Sequence, residues 1–151
     1  MGIESTVIDI TAKPVILREG MITKEEIEKA IDEEVEVRGA RDEIFFPAKV
    51  IVVEGENDRE VAEVMKEIIK ARGGAGLIAT REVFRLLPKG IRKKSWGSRS
   101  DVRVIAGRFF SVLDSMKNLN VLVVENLPPV GIGRVLREKL LLLADEVVKI
   151  N

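Results

Sequence analysis

Carboxylates near the ends of apolar segments are the first candidates for chemistry, because the sequence contains no histidine, cysteine or tyrosine. Their absence excludes thiol catalysis, imidazole general bases and thiolate metal sites. Asp9, Glu54 and Glu125 each lie near the end of a predicted strand, where α/β sheets often bind ligands. No second type of metal ligand accompanies them. We therefore predict no metal site and favour solvated or capping roles for these carboxylates.

Hydroxyl and guanidinium groups near the N-terminus are the second candidates. Ser5 and Thr6 supply hydroxyls but have no histidine or evident lysine base beside them, so a binding role is preferred over nucleophilic catalysis. Arg18 ends a short apolar segment and carries a fork of donors suited to a phosphate or a carboxylate. From the residues alone, structural roles in a hairpin are favoured, and no catalytic residue is predicted.

A basic segment is the third candidate, although lysine plus arginine and aspartate plus glutamate both number 25 over the whole chain. Its basic residues are Arg85, Lys89, Arg92, Lys93, Lys94, Arg99, Arg103 and Arg108. Only Asp101 is acidic there, and the sole tryptophan, Trp96, lies among them. Cations beside an exposed aromatic ring suit RNA contact, with Arg92, Lys93, Lys94, Trp96 and Arg99 as the candidates. The favoured alternative is a solvated face balanced by the acidic N-terminal third.

The turn Val130-Gly131-Ile132-Gly133 leads into a predicted helix and could bring a phosphate to its N-terminus. It lacks the lysine and hydroxyl of a P-loop and the spacing of a dinucleotide-binding fingerprint. An ordinary tight turn that needs positive φ is therefore favoured. A nucleotide-binding module built on Gly131 and Gly133 stays open as an alternative.

Apolar periodicity predicts alternating strands and helices from residue 48 onward. In chain order the elements are strand 48–53, helix 58–72 capped by Asn57, strand 76–79, short helix 81–87, strand 91–97, helix 101–116, strand 121–124 and a helix from Ile132. This order predicts an open, Rossmann-like three-layer α/β sandwich. We expect a mostly parallel sheet of about four strands with helices on both faces.

The first third of the chain has too few elements to bury a core of its own. Two short strands, at 4–10 and 15–17, precede a helix whose capping box is Thr23 and Glu26. The predicted organisation is a β-hairpin and helix left over from a larger domain at 1–34, a linker at 35–47 and an α/β domain at 48–151. The two strands need a partner, and pairing with a second copy would make a homodimer.

Four stretches of the sequence carry a family resemblance. GIESTVIDIT (2–11) and PVILREGMIT (14–23) resemble the end of the YrdC-like catalytic domain of threonylcarbamoyl-AMP synthases of the long, two-domain type. SWGSRSDVRVIAGRFFSVLDSM and NVLVVENLPPVGIGRVLREKLLLLAD are similar to the last helices and strand of the C-terminal domain of that family.

The resemblance implies an activity for the parent enzyme, which joins threonine, bicarbonate and ATP into threonylcarbamoyl-AMP for threonylcarbamoyladenosine modification of tRNA. By the matching motifs, Ser5 would contact threonine and Arg18 the nucleotide. ATP and magnesium are implied for the parent enzyme, with no cofactor held by this chain. The implied partners are tRNA, a catalytic domain or other tRNA-modification proteins, and the implied role of the C-terminal domain is to gate the active site through the linker.

Departures from the family pattern limit what is expected of this chain. The family's catalytic domain precedes the segment matched by Gly2, and its linker has a tyrosine where this sequence has GARDEIFFPAKV (39–50). The chain alone is therefore expected to be catalytically incomplete. With no signal peptide and no membrane-length apolar run, we expect a cytoplasmic protein without a membrane partner. Abundant charged and β-branched residues without cysteine suggest a thermophile.

Overall fold

The computed structural model describes residues 7–9, 15–18, 22–37 and 46–150. In chain order the elements are β1 (Val7–Asp9), β2 (Val15–Arg18), α1 (Lys24–Ile31), β3 (Glu36–Val37), β4 (Lys49–Glu54), α2 (Asp58–Ala71), β5 (Ala75–Ala79), α3 (Arg81–Phe84), β6 (Lys93–Ser95), α4 (Val102–Ser115), β7 (Val121–Glu125), α5 (Ile132–Leu143) and β8 (Glu146–Lys149).

The main sheet has five parallel strands in the order β6-β5-β7-β4-β8. The predicted α/β class with a parallel sheet is confirmed, and the sheet has one strand more than the four expected. The additional strand is β8, whose residues are mostly exposed and therefore form no apolar run in the sequence. It pairs with β4 at the edge of the sheet, where a strand can be stable with only one of its faces buried.

Helices cover both faces of this sheet. Alternation along β4 sends Val50 and Val52 toward α4 and α5, and Ile51 and Val53 toward α2 and α3. All four side chains are essentially inaccessible to solvent. Each contributes roughly 1.5–3 kcal/mol by burial, so the apolar runs of the central strands supply much of the stability of the sandwich.

The N-terminal strands form a second, smaller sheet in the order β1-β2-β3. The two predicted strands, which were expected to need a partner, have one within the chain, because Glu36–Val37 pairs with β2 in parallel inside the predicted linker. The Thr23 cap of α1 is confirmed, with the Glu26 amide donating to the Thr23 hydroxyl at 3.2 Å. The boundaries 1–34, 35–47 and 48–151 stay a prediction.

Candidate functional site

A cleft of about 840 Å³ opens at the carboxyl ends of β4 and β7. These strands are neighbours, but the helices that follow them lie on opposite faces of the sheet. Such a topological switch point is where open α/β sheets bind ligands. The cleft is lined by Val53, Glu54, Gly55, Glu56, Asn57, Glu60, Arg99, Glu125, Asn126, Leu127, Pro128, Pro129, Arg137, Lys149 and Ile150.

Glu125 anchors the floor of the cleft and is only 6% exposed. Its Oε1 accepts hydrogen bonds from the Thr80 amide and the Thr80 hydroxyl, both at 2.8 Å. Its Oε2 accepts one from Arg99 Nη2 at 3.3 Å. Burial raises the pKa of Glu125, because a carboxylate far from water loses hydration that these donors only partly replace. The expected solvated role for this carboxylate is therefore wrong.

Arg99 joins the loop after β6 to both sides of the cleft. Its Nη2 donates to Asp58 Oδ1 at 2.6 Å, in the first turn of α2. Its backbone amide donates to Glu82 at 2.7 Å. Burial alone would lower the pKa of Arg99, but Asp58 and Glu125 outweigh that effect and raise it. Arg99 therefore stays charged and fixes the loop, so it is not a free surface cation.

Glu54, at the end of β4, pairs with Arg137 of α5 across the cleft. Its second oxygen, Oε2, is buried and has no hydrogen-bond partner in the described part of the chain, and the same holds for Asn126 Nδ2. Asn126 is held by its backbone, because its amide donates to the Val53 carbonyl at 2.8 Å. The cleft thus has one acceptor and one donor without partners on adjacent strand ends.

The basic segment does not form the single surface that was predicted. Trp96 is 0% exposed and stacks on Phe109 with ring centroids 5.4 Å apart, so the expected exposed aromatic is wrong. Its large ring fills the core between the sheet and α4. Lys93 donates to the Leu87 carbonyl at 3.1 Å. Of the five candidates, only Arg92 and Lys94 are both exposed and without a described partner.

The remaining predicted residues lie elsewhere. Ser5 and the side chains of Asp9 and Arg18 lie outside the described residues; Asp9 ends β1 and Arg18 ends β2 in the backbone. Gly131 has φ +59°, as a tight turn requires. A Cβ at Gly133 would lie 2.5 Å from the Pro128 carbonyl oxygen, so this glycine allows close packing of the turn.

Sequence reasoning missed several residues of the cleft and of the hydrogen-bond network beneath it. Thr80, Asp58 and Arg137 showed no pattern of their own, although Thr80 precedes a helix and Asp58 begins one. The feature that could have identified them is their position in the chain, since most cleft residues follow a strand or start a helix. Which strand ends meet, however, depends on strand order, which local patterns do not contain.

Within the described ranges, no group of three or more histidine, cysteine, aspartate or glutamate residues is arranged to hold a metal ion. No helix among the described residues is long and apolar enough to cross a membrane.

The fold and the cleft define a doubly wound α/β domain with a polar site at its switch point. A family model described as threonylcarbamoyl-AMP synthase, C-terminal domain, matches residues 22–141, and the chain belongs to this family. A search of curated proteins gives no match.

Solved structures of one archaeal relative are similar to the chain. The crystal structure of P. abyssi Sua5 complexed with L-threonine is 27% identical, with a TM-score of 0.78, and covers 99% of this chain and 48% of that one. A P. abyssi Sua5 variant with adjacent histidine and tyrosine residues replaced by alanine is 26% identical, with a TM-score of 0.66, covering 99% and 47%. The chain therefore spans about half the length of these structures.

Proposed function

We propose that this chain is the C-terminal, regulatory part of a threonylcarbamoyl-AMP synthase and is not catalytically complete by itself. The observation that carries the proposal is the family match over residues 22–141. In this proposal the parent enzyme makes threonylcarbamoyl-AMP from threonine, bicarbonate and ATP. That product serves threonylcarbamoyladenosine modification of tRNA in the cytoplasm.

Two N-terminal residues are proposed to complete a substrate site provided by a catalytic domain. Ser5 would contact threonine and Arg18 would contact the nucleotide, as the matching motifs imply. The similarity to a P. abyssi Sua5 structure that holds L-threonine, over 99% of this chain, supports a threonine site in the complete enzyme. A serine hydroxyl and an arginine fork suit an amino acid and a phosphate, respectively.

The regulatory part of the proposal rests on contacts between α1 and the larger sheet's helices. Arg134 of α5 donates to Glu25 at 2.9 Å and 3.2 Å through two nitrogens. Arg103 of α4 lies 3.9 Å from Glu26. Because α1 follows the strand that ends in Arg18, these ion pairs connect the proposed substrate-site segment to the C-terminal domain. Movement of the C-terminal domain would therefore shift α1 and the segment that carries Arg18.

A chimera tests this function. The front half of P. abyssi Sua5 is joined to this chain in place of the aligned half, and pyrophosphate release is measured with threonine, bicarbonate and ATP. We expect the chain alone to match the blank and the chimera to exceed it, more slowly than intact P. abyssi Sua5 because the linker has no tyrosine. Replacing Ser5 with alanine should weaken threonine binding by the chimera, while Ser111→Ala, an exposed control, should not. A folded chimera that neither binds threonine nor releases pyrophosphate would contradict the proposal.

A second candidate function is RNA contact at the β6 edge of the sheet. Five exposed cations around α3 and β6 have no ion pair with any described residue: Arg81, Arg85, Lys89, Arg92 and Lys94. Such a basic strip attracts phosphates without sequence preference, with a dissociation constant around 10⁻⁴–10⁻⁶ M at physiological salt. A tRNA titration at two salt concentrations tests it. Binding that is absent at low salt, or that does not weaken as salt rises, rules this candidate out.

A further inference from the structure

Two unpartnered polar atoms point to a ligand in the cleft at the switch point. Val53 pairs with Glu125 in the sheet, so Glu54 and Asn126, one residue further along each strand, lie at the same level. Neighbouring strands are about 4.8 Å apart, so one small group can reach both side chains. Glu54 Oε2 is an acceptor and Asn126 Nδ2 a donor. Native proteins rarely leave such atoms unpaired unless another molecule completes them.

The two side chains are able to turn toward a ligand. The Glu54 side chain is 28% exposed, and the side chain of Asn126 is also partly exposed. The terminal torsions of both residue types are soft, so rotation can bring the two buried, unpaired atoms to the cleft. Such a rotation moves Glu54 Oε1 away from Arg137 and Asn126 Oδ1 away from the Leu127 amide, and the ligand then replaces those partners. Vicinal hydroxyl groups fit this pair, because each hydroxyl can donate to a carboxylate and accept from an amide.

The charges in the cleft disfavour a polyphosphate. The lining contains the carboxylates Glu54, Glu56, Glu60 and Glu125 and the cations Arg99, Arg137 and Lys149. Arg99 and Arg137 are already paired with carboxylates, which leaves Lys149 as the one lining cation without a described partner. The N-terminus of α2 is also filled, since Asn57 Oδ1 accepts the Arg59 and Glu60 amides. A neutral ligand is therefore favoured over one with several phosphates.

The lining of the cleft also contains apolar residues. These are Leu127, Pro128, Pro129 and Ile150, and apolar surface of this kind suits a planar ring. A volume of about 840 Å³ is ample for a ligand of nucleoside size. In doubly wound sheets, a carboxylate at the end of a strand commonly accepts hydrogen bonds from ribose hydroxyls. We propose that this cleft binds a nucleoside through its ribose hydroxyls, at a site separate from the one proposed for Arg18.

The test compares two ligands on the unaltered chain. Adenosine should raise the melting temperature in a concentration-dependent way, because a ligand that binds the folded state stabilises it. 2′,3′-Dideoxyadenosine, which has the same base but no ribose diol, should bind at least tenfold more weakly. ATP should also bind more weakly than adenosine. Absence of any shift with adenosine, equal binding of the dideoxy compound, or tighter binding of ATP would each overturn the proposal.

Variants then locate the site. Glu54→Ala and Asn126→Ala should weaken adenosine binding at least tenfold, whereas Glu67→Ala, an exposed carboxylate on α2 outside the cleft, should leave it unchanged. Arg18→Ala should also leave it unchanged. Loss of binding in Arg18→Ala but not in Glu54→Ala would assign adenosine to the other site and overturn the inference. No measurement here uses threonine or pyrophosphate, so the result is independent of the proposed synthase function.

Discussion

The hydroxyl of Thr80 gives the sharpest test of the network beneath the cleft. This residue is 0% exposed, and its hydroxyl donates to Glu125 Oε1 at 2.8 Å. Thr80→Val keeps the branched shape but removes the donor, while Thr80→Ser keeps the donor and removes a methyl group. The pair of variants therefore separates hydrogen bonding from packing at one buried position.

The expected magnitudes follow from the chemistry of the acceptor. A hydrogen bond to a charged group contributes about 1.5–3 kcal/mol, so Thr80→Val should lower the free energy of unfolding by that amount at pH values where Glu125 is ionised. Thr80→Ser should lose about 1 kcal/mol, the value of one buried methyl group. The Thr80 amide still donates to the same oxygen in both variants, which keeps Glu125 from losing all its partners on that side.

The pH dependence distinguishes the two variants further. Burial raises the pKa of Glu125 above its ordinary value, so ionised Glu125 costs stability as pH rises through the folded pKa. Removing the hydroxyl raises that pKa further. The defect of Thr80→Val should therefore shrink toward about 1 kcal/mol, the value of a neutral hydrogen bond, as pH falls through the folded pKa of Glu125. The Thr80→Ser defect should not change.

Urea unfolding followed by circular dichroism, at pH values on both sides of the folded pKa of Glu125, measures both quantities. If the two variants lose the same stability, and neither loss depends on pH, then the hydroxyl does not support the Glu125 carboxylate. The account of the network would then be wrong.

Three further predictions test the packing, the basic segment and the α1 contact. Gly133→Ala should lower the free energy of unfolding in urea by about 1–3 kcal/mol, because the added Cβ would lie 2.5 Å from the Pro128 carbonyl oxygen. The matched control is Gly107→Ala, whose added Cβ would have nothing within 4 Å. It should raise the free energy of unfolding by up to about 1 kcal/mol. Trp96 fluorescence should be blue-shifted and resist iodide quenching, because the ring is 0% exposed; ready quenching would contradict its burial. The hydrogen bond from Arg134 of α5 lowers the pKa of Glu25, so the stability that this ion pair contributes should be lost as pH falls through the folded pKa of Glu25. Glu25→Gln should therefore show a smaller acid-induced drop in melting temperature than the unaltered chain. Equal drops would refute this prediction.

Much of the fold could be predicted from local patterns. The apolar run at 48–53 is β4 at Lys49–Glu54, and the periodic stretch at 58–72 is α2 at Asp58–Ala71. The Asn57 cap of that helix is also confirmed. These features could be found because burial and capping depend on residues a few positions apart. The edge strand β8 escaped prediction because a strand buried on one side at most needs no continuous apolar run.

The burial of Trp96 shows the limit of composition. Eight neighbouring cations suggested a surface, yet the ring packs between the sheet and α4 while Arg92 and Lys94 face solvent. Strand alternation would place Arg92, Lys94 and Trp96 on one side, because they are spaced two residues apart. Trp96 instead follows the end of β6 at Ser95, so charge density along the chain does not report where its side chain lies. That assignment needed the position of β6 at the edge of the sheet.

The sequence by itself determined the alternation of strands and helices, the parallel α/β class and the turn at Gly131. Only the tertiary structure decided that Glu125 lies beside Thr80, 45 residues away, and that Glu54 lies opposite Arg137, 83 residues away. The physical reason is that local periodicity sets each element, whereas the order of strands is set by burial summed over the whole sheet. The cleft exists because β7 inserts between β5 and β4, and no short stretch of residues specifies that insertion.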